Sequence, residues 1–535
     1  MNKPLKIKDP IFGYISVTDD DLCTVINSAM FHRLQDIVQT SYQSVYPSAT
    51  HNRFTHSLGV YHLGQIAAAK LAKDILVQKL ANKKSLQKLS TAFILACLMH
   101  DIGHSPFSHT GEKFYFHYDD GDDKIPVIWK QLLSELHAPG FEEDSNGNTQ
   151  TVGAEHEIMS AYVSLINFPA IFDKLDKEFF VRCIIGLKYS DRKDIRNCFI
   201  GLLNSKTIDV DKLDYLIRDS FVTGFKSISI DYERLLNAIC VIQEEDCISL
   251  GFEKSALSTL ESVVLAHDME RKWIQNHPVI KYECYLVSYM IAKAQEYYYE
   301  EKRIELFSAD ALSEKGIGAD DSRICLLSDS DIRSYAKKLY ATDSIIKEYF
   351  SRNLRGKPLW KSESEYRILF EQRGVDDKVL SELEKRVSAL ENLLIRKFNI
   401  PIINEKSLMY LVSEASDESI PEAIRSGKAT ELKKSIALVN VLKSYSEKKG
   451  FPFEYVLVTA KQFATGFNKD EFKSIKVRFE NDDTRMLEDV VYLFSAKKPN
   501  DNFFYLFVNQ DARKQIDVSK MAFEIVDFIL KEYNA

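Results

Sequence analysis

"LACLMHDIGHSPFSH" (residues 95–109) closes a mostly apolar run and then delivers His100, Asp101, His104 and His109 within ten positions. Residues 92–99 read as a helix on its way into a core. The whole chain holds only 12 histidines, so this concentration of groups that resist burial needs a reason. A bound cation supplies one, because it offsets the desolvation of imidazoles and carboxylates gathered around it.

Consecutive helical residues point about 100° apart, so His100 and Asp101 can both reach one point near a helix end. Further ligands must come from elsewhere. "YPSATHNRFTHSLGVYH" offers His51, Arg53 and His56, and "IDVDKLDYLIRDS" offers Asp209, Asp211, Asp214 and Asp219. Two imidazoles with two carboxylates suit iron, manganese, zinc, nickel or cobalt better than calcium. Singly, each piece has an ordinary reading: a His-Asp dipeptide is common, a histidine near a helix end is usually a cap or core group, and an aspartate-rich helix is usually a solvated face. Their joint occurrence is less ordinary. Asp211, Tyr215 and Asp219 fall at i, i+4 and i+8 on one helical face, which lines a polar site or faces solvent.

The chain has 535 residues, too many for a single core. A net charge of −8 argues against general affinity for a phosphate backbone. No basic stripe with interleaved aromatics marks a nucleic-acid binder. Eight scattered cysteines with no CxxC pair read as reduced core thiols. The N-terminus lacks a signal-peptide core and no apolar stretch reaches a membrane span, which predicts a cytoplasmic protein. Residues 29–300 are mostly helical in pattern, with a break expected at Pro278. Two polar stretches, 117–124 and 140–153, read as surface loops. The composition of 308–331 marks a boundary region. Leu380, Leu383, Val387, Leu390 and Leu394 form a helical core stripe, and after Gly450 the segments "EYVLVTA", "SIKVRF", "VVYLFSA" and "NFFYLFV" read as strands before a last helix.

Four strings taken together resemble the HD-domain phosphohydrolases, and within them the dNTP triphosphohydrolases: "KIKDPIFGYI" (residues 6–15), "VYPSATHNRFTHSLGVYHLG" (45–64), "CLMHDIGHSPFSH" (97–109) and "DVDKLDYLIRDSFVTG" (209–224). The resemblance covers about the first 290 residues. It implies a mainly α fold: an HD-domain helical core with a smaller mixed α+β C-terminal region. The expected division is a catalytic region at 1–310, a helical extension at 311–449 and an α+β lobe at 450–535.

The resemblance also implies roles. His56, His100, Asp101 and Asp211 would hold a divalent transition metal, with magnesium accompanying the nucleotide phosphates. His109 would protonate the departing 5′ oxygen, with His104, His156 and Glu157 in the same pocket. Arg53 and Lys212 would bind phosphate, and Tyr215, Asp219 and Gln39 the sugar. Thr40 stands where the family usually has leucine, and His267 where it tends to have arginine, for which Arg271 could substitute one turn on. The implied reaction is hydrolysis of a dNTP to deoxynucleoside and inorganic triphosphate. Family members are commonly homo-oligomers, and some are activated by a nucleotide at a subunit interface. Nucleotide balance or phage defence are the roles the family suggests. Two other readings stand beside this one: an HD enzyme acting on a monophosphate, cyclic nucleotide or alarmone, and a nucleotide-sensing regulator with little turnover.

Overall fold

The structure is a computed structural model that describes residues 5–115, 127–138, 141, 153–225, 229–319, 323–375, 377–415, 422–460, 470–480, 483–491 and 503–534. The stretch at 117–124 and nearly all of 140–153 lie outside the described residues. The fold is mainly α. It divides into two compact units: Met1–Glu270 with Lys293–Tyr335 and Thr465–Ala496, and Arg271–Ala292 with Ala336–Ala464 and Lys497–Ala535.

The first unit is built around the helix Arg53–Val77, capped by Asn52, whose side chain accepts from Thr55 N. Ser57, Leu58, Gly59, Val60 and Tyr61 are buried in succession, so this helix is enclosed on all sides there. It packs against the helices Lys83–Met99 and Val210–Thr223. Two glycines allow the approach. A β-carbon on Gly59 would lie 1.8 Å from Asp214 Oδ1 and 2.5 Å from an Arg218 nitrogen, and one on Gly64 would lie 2.6 Å from Cys97 Sγ. Any larger residue would push the helices apart.

An antiparallel hairpin, Leu5–Asp9 with Gly13–Val17, opens this unit. A second hairpin, Ile239–Glu244 with Cys247–Glu253, is extended by Lys476–Arg478, which runs parallel to the second strand, and by Thr484–Met486. The stretch at 308–331, polar by composition, buries Ala309, Ala311, Leu312 and Leu327 and leads into the helix Asp329–Leu339.

The second unit holds a four-stranded antiparallel sheet in the order Lys357–Pro358, Phe503–Val508, Tyr455–Ala460, Ile402–Ile403. Every residue of Phe503–Val508 is buried, as expected for a central strand covered on both faces. The stripe Leu380, Leu383, Val387, Leu390 and Leu394 lies in the same core. Of "VVYLFSA" (residues 490–496) only Val490, which ends the helix Leu487–Val490, and Val491 are described, and residues 492–496 lie outside the described ones. The break near Pro278 takes the form of a π-helical turn, Glu270–Gln275, after which Pro278 starts the helix Pro278–Lys302, a position where its missing N–H costs nothing.

Gly59→Ala is expected to destabilise the chain by about 1–3 kcal/mol, the usual cost of overpacking a closed site. Surface-exposed Lys83→Ala should change little. Chemical denaturation of both variants checks this.

Candidate metal centre and histidine cluster

Three helix ends meet at one point. His56 sits in the first turn of Arg53–Val77, His100 caps the C-terminus of Lys83–Met99 with Asp101 next to it, and Asp211 lies in the first turn of Val210–Thr223. His56 Nε2 lies 3.3 Å from His100 Nε2 and 2.9 Å from Asp211 Oδ1. Asp101 approaches His56 Nε2 to 3.6 Å and His100 Nε2 to 3.5 Å, and Asp211 approaches His100 Nε2 to 3.6 Å. His56 and Asp101 are buried, and Asp211 is the open member, with 36% of its side chain exposed.

The partners of the other ring nitrogens fix how these imidazoles face. His56 Nδ1 lies 2.7 Å from Asp214 Oδ2, and His100 Nδ1 lies 3.0 Å from Cys97 O. Both partners can only accept, so both Nδ1 atoms carry a proton and both Nε2 atoms point into the same space. Two Nε2 atoms and two carboxylates facing one another require a proton or a cation between them. This donor set fits a divalent transition metal, and histidine ligands held by a carboxylate or carbonyl behind them are the usual arrangement.

Asp214 is itself held. Arg218 donates to it through Nε and a terminal nitrogen, each at 2.9 Å, and through its other nitrogen to Asp9 Oδ2 at 3.0 Å. Asp9, from the "KIKDPIFGYI" hairpin, also accepts from Ile11 N and Phe12 N.

A second group adjoins the first: His104, His109, Glu112 and His156 are close enough to share an ion. Glu112 Oε1 lies 2.7 Å from His109 Nδ1 and 2.9 Å from His156 Nδ1. His104 stacks on His156, centroids 4.3 Å apart, and its Nε2 lies 3.4 Å from Asp101 Oδ1, which joins the two groups. Neither ring nitrogen of His104 has a hydrogen-bond partner among the described residues. Burial, reinforced by Arg53 and the neighbouring histidines, holds its pKa well below the ordinary value, so it is neutral. His156 goes the other way. Burial would lower its pKa, but the charge of Glu112 and the contact with it outweigh burial and raise it to about 9. Burial would raise Glu112, but His109 and His156 hold it well below the carboxylate range.

Arg53 is buried and already engaged: Nε donates to Ser108 Oγ at 2.8 Å, one terminal nitrogen to Asp101 Oδ2 at 2.7 Å and the other to Gln39 O at 3.4 Å. Gln39 Oε1 and Thr40 Oγ1 are buried without partners among the described residues. Asp219 Oδ1 lies 2.7 Å from His51 Nε2. Tyr215 is partly buried on the same helix. Lys212 Nζ donates to Ser205 O at 2.7 Å and Asp209 Oδ2 at 2.6 Å. Glu157 accepts from Ala154 N at 2.6 Å and from Asn204 Nδ2 at 2.8 Å, as a helix cap does. His267 is buried in the first unit, 5.7 Å by ring centroid from Phe472, while Arg271 belongs to the second unit.

Sequence reading did not single out Glu112, Asp329 or Arg33. Asp329 is fully buried and accepts from Phe107 N at 2.6 Å and Val38 N at 3.2 Å, tying the His104–His109 loop to the segment that carries Gln39. Arg33 donates to the carbonyls of Ile102 and His104, each at 2.9 Å. Glu112 had one legible signal, its place three residues after His109.

His156 should be cationic at neutral pH and lose its proton near pH 9. In Glu112→Gln the raising charge is gone and burial prevails, so its pKa should fall below the ordinary value of about 6.5. A histidine NMR titration of both proteins reads this directly, and an unshifted His156 would sever the pair.

Residues 53–133 match the family model described as the HD domain. An uncharacterized protein of Methanocaldococcus jannaschii is 25% identical over 301 residues, 56% of this chain and 51% of its own length. The deoxynucleoside triphosphate triphosphohydrolase SAMHD1 homolog of Dictyostelium discoideum is 28% identical over 362 residues, 65% of this chain and 59% of that protein. The Bos taurus SAMHD1 is 30% identical over 245 residues, 43% of this chain and 37% of that protein. The chain spans about half the length of the first curated relatives it matches. In fold, a hypothetical protein from Aquifex aeolicus aligns with a TM-score of 0.52 at 17% identity, covering 98% of this chain and all of that one. A phosphohydrolase from Bacteroides thetaiotaomicron aligns at 0.50 and 18%, covering 95% of this chain. Among the described residues no helix is long and apolar enough to cross a membrane. Residues 53–133 of the chain thus match the HD domain, and the chain is similar over part of its length to deoxynucleoside triphosphate triphosphohydrolases.

Proposed function

We propose that this protein is a metal-dependent phosphohydrolase that cleaves deoxynucleoside triphosphates to deoxynucleoside and inorganic triphosphate. The observation that carries the reading is the pair of facing Nε2 atoms, 3.3 Å apart, beside a histidine–glutamate group only 3.4 Å from Asp101. His56, His100, Asp101 and Asp211 would hold the metal. Bound there, a divalent transition metal supplies Lewis acidity and a water acidic enough to attack phosphorus at neutral pH.

The remaining chemistry belongs to the chain. The 5′ oxygen leaves as an alcohol and needs a proton. His109 is the exposed member of the second group, with 66% of its side chain accessible, and Glu112 orients its ring through Nδ1. That leaves Nε2 facing outward as the atom that gives the proton. His156 adds positive charge beside the departing oxygen, and neutral His104 can donate or accept through a ring nitrogen that has no other partner. Arg53 holds Asp101 in place and contributes a buried positive charge toward the phosphates. Tyr215 and Asp219 would meet the sugar, with Gln39 and Thr40 offering unpartnered oxygens nearby.

One observation favours a second reading, an HD enzyme acting on a different phosphate ester. Lys212, expected on the phosphates, is bonded back to Ser205 O and Asp209, and Asp219 is bonded to His51. A monophosphate or cyclic nucleotide would need neither.

The deciding assay incubates the protein with each dNTP, NTP, cyclic nucleotide and alarmone, singly and in pairs, with manganese or magnesium, and separates the products by chromatography. Triphosphate release from dNTPs is expected, and monophosphate or diphosphate release would select the second reading. His109→Ala should keep its metal and lose about 10²–10⁴-fold in rate. A near-wild-type rate would remove His109 from the proton-donor role. Replacing His100 and Asp101 by alanine should abolish both metal content, measured by elemental analysis, and turnover.

A further inference from the structure

A cleft of about 510 Å³ lies in the first unit, away from the metal-centre residues, between the loop at 188–197, the helix Arg196–Leu203, the loop at 205–208, the strand Cys247–Glu253 and residues 474–476. Its volume is in the range that takes a small ligand. Three features describe what it would take.

The first is charge. In a chain of net charge −8, the charged side chains that line the cleft among the described residues are Lys188, Arg192 and Lys476, all cationic. Lys476 alone of these is offset in part, by Glu244 at 2.6 Å. The second is unpaired polarity. Tyr189 Oη and Ser249 Oγ, both on the cleft wall, are buried and have no hydrogen-bond partner among the described residues. Atoms in that state are normally matched by something bound to them. The third is Gly201. It sits inside a helix, where glycine is poorer than alanine, and a β-carbon built on it would meet nothing within 4 Å. No close packing explains this glycine, and the space beside it belongs to the cleft. The lining also includes the apolar side chains of Ile208, Leu250, Phe252 and Ile475.

We infer that this cleft binds a small phosphorylated organic molecule: the phosphate on Lys188, Arg192 and Lys476, hydroxyls on Ser249 and Tyr189, and a flat or apolar body against Phe252 and Gly201. Arginine and lysine together match a dianionic phosphate better than a single carboxylate.

The position gives the ligand a route to the site. Ser205 and Thr207 line the cleft. Ser205 N donates to Asp209 Oδ2, Asp209 caps the helix that carries Asp211, and Ser205 O accepts from Lys212 Nζ. A ligand that draws this loop toward itself takes the Ser205 O acceptor from Lys212 Nζ and leaves it paired with Asp209 alone, free to swing toward the substrate phosphates. This coupling rests on the proposed function, whereas the binding does not.

The test uses the full chain and three probes in calorimetry: AMP, ribose 5-phosphate and decanoate. AMP is expected to bind most tightly. Lys188→Glu/Arg192→Glu, on exposed side chains, and Gly201→Leu, which fills the space, should each weaken AMP at least about tenfold, the worth of one charge-assisted contact. No AMP binding to the wild type, equal binding to the charge-reversed and wild-type proteins, or preference for decanoate would overturn the site. The coupling is read by amine labelling of Lys212 followed by mass spectrometry. Saturating AMP should raise its labelling several-fold in the wild type and not in the charge-reversed variant. Unchanged labelling in wild type with AMP bound would overturn the coupling alone, whatever the nucleotide assay finds.

Discussion

Two imidazole nitrogens facing each other at 3.3 Å set the terms for the first unit. The arrangement is unfavourable by itself, and the protein maintains it from behind. His56 is held by Asp214, Asp214 by Arg218 and Arg218 by Asp9, while His100 is pinned to the last turn of its own helix by Cys97 O. A buried carboxylate between an imidazole and a guanidinium is satisfied on both sides, which buried charges require. The N-terminal hairpin therefore serves the site, although no residue of it belongs to either histidine group.

The same logic explains why the helices cross where they do. Asp214 can reach His56 only if the two helices nearly touch, and Gly59 is the point of contact. Gly59 follows His56 by three positions, almost one turn, so ligand and contact point lie on the same face. The spacing His-x-x-Gly in this string thus has a mechanical reason. It places an imidazole and the missing side chain that lets its carboxylate partner arrive.

Much of the fold and the candidate site was legible in the sequence, because local pattern encodes it. The apolar run before His100-Asp101 and the stripe from Leu380 to Leu394 are short-range signals. The supporting residues were less legible because their partners are distant in sequence. Asp329 lies 222 positions from Phe107, in a stretch whose polar, small-residue composition reads as a boundary. Glu112 reads as an ordinary surface glutamate until His156 arrives from another helix. Asp214 was visible as one of four aspartates, but nothing local separates it from the Asp211 stripe. Arg53, expected at phosphate, is spent on Asp101, Ser108 and Gln39, because a buried guanidinium must satisfy its donors within the fold.

The loop that follows Asp101 shows what joining the two groups demands. His104 must lie beside Asp101, and His109 must return to the same glutamate five residues later. The chain reverses by placing Phe107 and Ser108 both in the left-handed region, at φ of 58° and 54°. Each costs about 1–2 kcal/mol for a residue with a β-carbon, and such a pair does not persist unaided. Asp329 takes the Phe107 N–H, Arg333 lies over the Phe107 ring at 4.8 Å, and Ser108 Oγ bridges Val38 O and Arg53 Nε. Burial raises Asp329 to a pKa of about 7 even though Arg333 and two backbone N–H groups favour its charged form. The fold thus keeps a costly carboxylate in its interior to hold a strained turn. The turn in turn sets a buried histidine and an exposed one against the same glutamate oxygen, at 3.6 and 2.7 Å. Holding His104 3.4 Å from Asp101 while His109 stays exposed is what this turn accomplishes, and it joins the two histidine groups at Asp101.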